Sequence, residues 1–88
     1  MQPIERQLLD NLFDSLDRLY DAESSVLDVY ALLMATSHAL ATSSVHEDLE
    51  RPLATLLAII RSGDSEDQCR TAALTATDDL RRRLAQDP

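Results

Sequence analysis

Asp10, Asp14, Asp17 and Asp21 recur at intervals of four, three and four residues, the spacing that lines side chains along one face of a helix. At about 100° per residue the four carboxylates fall within an arc of about 60°, while Ile4, Leu8, Leu12, Leu16 and Leu19 point the opposite way. Like charges at i, i+4 repel by about 0.2–0.5 kcal/mol per pair, so the stability of the helix does not explain the stripe. Such a face can dock a cationic partner, because complementary potential speeds association and rejects like-charged competitors. A merely solvated face has the same composition. Glu23 and Asp28 extend the negative region, so that residues 5 to 28 hold seven acids (Glu5, Asp10, Asp14, Asp17, Asp21, Glu23, Asp28) against Arg6 and Arg18.

Other reactive side chains form weaker constellations. His46, Glu47 and Glu50 place a histidine and a carboxylate one turn apart, a pairing found in metal sites, but they supply no third ligand of fixed geometry. His38 falls on the less apolar side of its helix and reads as an ordinary exposed or structural histidine. Asp64, Glu66 and Asp67 lack the alternating spacing of a calcium loop, and helix capping suffices to explain them. Cys69 sits on an apolar face with no histidine spaced to activate it, which makes it a small core residue rather than a nucleophile. There is no glycine-rich phosphate loop. No cofactor is implied, and the residues point to binding rather than catalysis.

Asp14-Ser15-Leu16-Asp17 resembles the phosphopantetheine attachment motif of acyl carrier proteins, which are also small, acidic and helical. In that family the serine opens the second helix after a long loop. Ser15 instead falls inside the first helix, on the edge of its apolar arc, and the glycine that precedes the family motif is absent. Ser15 is therefore read as a packed or partly exposed serine.

The elements that must position these residues are helices. Of the 88 residues 44% are hydrophobic and 27% charged, with 1 Gly, 3 Pro and 3 aromatics counted as Tyr 2 and Phe 1; that balance is poor in the turn residues and aromatics of a β-rich core. Ile4, Leu8, Leu9, Leu12, Phe13, Leu16, Leu19 and Tyr20 give the helical rhythm from Pro3 to about Tyr20. Ser24 or Ser25 caps a second helix, predicted from about Val26 to Thr42, which is apolar around most of its circumference. Ser44 and Glu47 match a capping box for a third. Pro52 breaks or kinks that third helix, the favoured form being a short turn from Val45 to Glu50 and a helix from near Arg51. Gly63 ends it and Asp64 or Ser65 caps the last helix, whose inner face is predicted as Cys69, Ala72, Ala73, Ala76, Leu80 and Leu84. Leu12, Leu16, Leu33, Leu56 and Ile60 are expected to be buried.

The expected fold is all-α, a compact four-helix antiparallel bundle with residues 1–88 as one domain. The single cysteine excludes an intramolecular disulfide and fits a reducing, cytoplasmic compartment, and neither a secretory signal nor a membrane span is legible. With Asp+Glu 16 against Lys+Arg 8 the formal net charge is -8, which argues against direct contact with nucleic acid or anionic lipid.

In size, acidity and helical pattern the chain resembles, in outline, the small acidic immunity proteins of bacteriocin and contact-dependent growth-inhibition systems, the colicin D type among them. That resemblance implies a one-to-one complex with a basic cognate toxin, such as a nuclease whose site is cationic to hold phosphate. Asp10, Asp14, Asp17, Asp21, Glu23 and Asp28 are the expected partner-binding residues. The other class is a homodimeric helical adaptor, regulatory module or secretion chaperone, in which the apolar second helix pairs with another chain and the acidity serves solubility.

Overall fold

A computed structural model describes residues 3–86, and every regular element among them is an α-helix. In chain order these are α1 (Pro3–Tyr20), α2 (Val26–Ala39), α3 (His46–Glu50), α4 (Leu53–Arg61) and α5 (Glu66–Gln86). The all-helical expectation holds for the described residues, and the bounds of α1 are those its apolar periodicity predicts. None of these helices is long and apolar enough to cross a membrane.

The starts of α2 and α5 have local causes. Ser25 caps α2 through a full capping box: its hydroxyl accepts from the Asp28 N–H, and the Asp28 carboxylate accepts from the Ser25 N–H. Ser65 and Gln68 form the same reciprocal pair before α5, which selects Ser65 over Asp64 as the cap. Gly63, at φ 78°, makes the left-handed turn beyond α4.

Two expectations at helix ends fail. α2 stops at Ala39 rather than Thr42: beyond Leu40, which inserts into the core, Ala41 and Thr42 are exposed and have no apolar face to bury. The Ser44–Glu47 capping box does not form, since Val45 holds the cap position of α3 without a side-chain bond. Its neighbour Ser43 does the work instead. The Ser43 hydroxyl accepts from the Val45 N–H and donates to the Glu5 carboxylate of α1, so a contact 38 residues away in sequence overrides the local cap. Between α3 and α4, Arg51 and buried Pro52 keep right-handed backbone angles, which makes their junction a soft turn.

α1 lies against α2 and α5, and α4 likewise lies against α2 and α5. The core is built from Leu9, Leu12, Leu16 and Leu19 of α1 with Val26, Val29 and Leu33 of α2, closed by Leu40, Leu49, Leu56, Ala73 and Leu80. Of the five residues expected inside, Leu12, Leu16, Leu33 and Leu56 are fully buried, whereas Ile60 is only half-buried near the open end of α4. Ala72 is exposed, and the inner face of α5 runs instead through Ala73, Thr77, Leu80 and Leu84 at the i, i+4, i+7, i+11 spacing. Thr77 is tolerated there because its hydroxyl donates to the Ala73 carbonyl at 2.8 Å.

Candidate partner-binding face

The aspartate stripe lies where the helical phase puts it, opposite Leu12, Leu16 and Leu19, but its members have different surroundings. Asp10 and Asp14 are exposed and pair with arginines of their own helix, Arg6–Asp10 at 3.8 Å and Arg18–Asp14 at 3.3 Å. The second pair has the acid on the N-terminal side, the order that suits the helix dipole; the first has the reverse order. These pairs offset part of the repulsion along the stripe. Their side chains are all more than half exposed, and ion pairs of that kind contribute little to stability.

Asp17 differs, because it is the one stripe residue that reaches another helix. Its carboxylate pairs with Arg81 of α5, and the Arg81 guanidinium lies 5.6 Å from the Phe13 ring centroid and 6.0 Å from that of Tyr20. Two of the three aromatic residues in the chain therefore flank a single arginine. This seam was not foreseen from sequence, since 64 residues separate Asp17 from Arg81 and neither motif nor periodicity joins them.

The end of α1 decides where Glu23 goes. Ala22 takes φ 62°, the Ala22 N–H donates to Leu19 O at 3.2 Å and the Glu23 N–H to Arg18 O at 2.8 Å. This is a Schellman turn with alanine in the position that favours glycine. It reverses the chain so that Glu23, Ser24 and Asp28 rim a shallow depression, completed by Asn11, Asp14, Ser15, Arg18 and Leu32. Asp14, Glu23 and Asp28, separated in sequence, are thus brought to one concavity. Asp21 stays exposed at the mouth of the turn. Asp28 has a second task in the α2 capping box, whereas Asp21 and Glu23 have no side-chain ion pair among the described residues. Glu5, counted with the acidic region, is drawn away to Ser43.

The remaining constellations are structural ties. The His46 ring lies with Nδ1 3.0 Å from the Ser37 carbonyl and Nε2 3.2 Å from the Glu50 carboxylate, while the Ser37 hydroxyl donates to the same carboxylate. Ser37 is 1% exposed, so this hydroxyl is closed to substrate and the cluster fastens α3 to α2. Among the described residues no three histidine, cysteine or acidic side chains converge as a metal site would require. The Cys69 thiol lies 3.6 Å from the carbonyls of Ile59 and Asp64 and packs against the core as expected. Ser15 is half-buried within α1.

No protein family, characterised protein or solved structure matches the chain.

Proposed function

We propose that this chain is an immunity-type inhibitor, which binds and neutralises a basic toxin domain, a nuclease above all, through the acidic side of α1 and the turn into α2. One observation carries the reading: Asp14 of the stripe meets Glu23 and Asp28 around one depression across the turn, and Asp10 and Asp21 stand exposed along the same stripe of α1. A nuclease site holds phosphate with clustered cations, and an array of carboxylates along a helix imitates the negative charge of that phosphate. Asp17 forms the α5 edge of the face, with its carboxylate shared with Arg81. The same acidity turns the protein away from nucleic acid and anionic lipid, and the single cysteine fits action in the cytoplasm.

A compact antiparallel four-helix bundle, with α3 and α4 as one helix broken near Pro52, supplies the rigid support for α1. The packing of α1 and of α4 against both α2 and α5 supports it.

The test is association with a basic nuclease toxin domain, sought in the reading frames neighbouring that of this chain and measured at two salt concentrations. Asp14→Asn with Asp21→Asn removes two exposed charges and leaves the Asp17 tether intact. Association of this variant is expected to be about 10-fold slower at low salt, and the wild type should lose more on raising salt than the variant does. Unchanged rates, or equal salt dependence in both proteins, would reduce the stripe to a solvated face.

A further inference from the structure

We infer that the outer face of α2 is a self-association surface, on which a second copy of this chain docks with its own α2 antiparallel. The inner side of α2 is taken up by Val26, Val29, Leu33, Thr36 and Ser37. Its outer side carries Leu27, Asp28, Ala31, Met34, Ala35 and His38; Leu27 is 59% exposed, and only Met34 of the six is half-buried. In a chain with 27% charged residues, this face has a single carboxylate and a single histidine, and among the described residues Leu27, Asp28, Ala31, Ala35 and His38 remain exposed.

The occupant is indicated by how the face complements itself. Ala31 and Ala35 stand two residues either side of Leu33, and Asp28 and His38 five residues either side. A two-fold axis at the level of Leu33 therefore sets Ala31 of one copy against Ala35 of the other, and Asp28 against His38 at both ends. This is the reciprocal pattern an isologous contact requires. Alanines at the centre let the helix axes approach to about 8 Å, the close end of helix packing, and that spacing brings the flanking Asp28 and His38 side chains within reach of each other. One of the Asp28 oxygens caps α2, which leaves the other for the partner's histidine. Leu27 and Met34 supply the apolar area. A contact between two helices of 14 residues buries less than the roughly 1,200 Å² of an ordinary stable interface, so the dimer is a weak one. Its salt response is opposite to that proposed for the acidic face. Two copies of net charge -8 repel at long range, and screening brings them together.

Sedimentation equilibrium over about 10 μM to about 1 mM, a range suited to a small interface, reads the association directly. The wild type is expected to pass from one chain's mass toward two, more readily at high salt. Ala35→Glu and His38→Glu, both at exposed positions, should weaken the dimer by about 10-fold or more by setting carboxylates against Asp28 of the partner copy or against the alanine contact, whereas His38→Arg should tighten it. Thermal melts unchanged from the wild type show that the variants remain folded. A single chain mass throughout the range, a dimer that both glutamate variants leave unchanged, or a dimer dispersed by salt overturns the inference.

Discussion

Ala22 holds a backbone conformation, φ 62°, that a Cβ atom makes unfavourable and that glycine adopts freely. Its side chain is exposed, so replacement removes strain without removing a contact. Ala22→Gly is expected to stabilise the protein by about 0.5–1 kcal/mol, less the entropy glycine adds to the unfolded chain; chemical denaturation would show a higher midpoint with an unchanged slope, and a loss of stability would contradict the assignment of the turn. At this scale the sequence was legible in part. The four-three-four spacing of Asp10, Asp14, Asp17 and Asp21 gave their common face, because helical phase is a local property. That Asp17 alone would be tied by Arg81, and that Glu5 would be drawn to Ser43, depends on which helices become neighbours, which spacing within one helix does not encode.

The helices themselves were more legible than their ends. Ser24-Ser25 and Ser43-Ser44 look alike in sequence, and each pair has an acid at the third position beyond its second serine, Asp28 and Glu47. Only the first forms a capping box. At the second, the backbone is set by Ser43 and its bond to Glu5, a tertiary contact that outweighs the local signal. The two serines therefore respond differently to truncation. Ser25→Ala should cost about 1 kcal/mol, while Ser44→Ala, at an exposed position without a capping bond, should change stability by less than about 0.5 kcal/mol. Equal losses on urea unfolding would mean that the two caps are equivalent after all. α2 shows the other limit of periodicity: a helix apolar nearly all round reveals that it packs, but not which side.

Across the whole molecule the apolar pattern predicted the interior better than any single boundary. Leu56 is fully buried where α4 meets α2 and α5, and its truncation to alanine leaves a cavity the surrounding helices cannot fill. Leu56→Ala is expected to cost about 2–5 kcal/mol, with Ile60→Ala costing less because Ile60 is half-buried; the ratio of the two losses in denaturant unfolding tests the burial pattern. Ile60 and Ala72 depart from the expected interior for different reasons. Ile60 lies in the last turn of α4, beside exposed Arg61, Ser62 and Gly63, whereas Ala72 is off the inner face by helical phase, about 100° round from fully buried Ala73.

The α1–α5 seam also bears on time. Its Asp17–Arg81 pair joins residues 64 apart, whereas α1 with α2, and α4 with α5, can meet across short turns. Loop closure entropy delays contacts between distant segments until nearer ones have formed, and the seam is therefore expected to be a late arrival in assembly. Interactions absent from the folding transition state govern the rate of opening rather than the rate of formation. Loosening the clasp of Phe13, Tyr20 and Arg81 on the α5 side of α1 is then expected to shorten the lifetime of the acidic face more than it slows its formation.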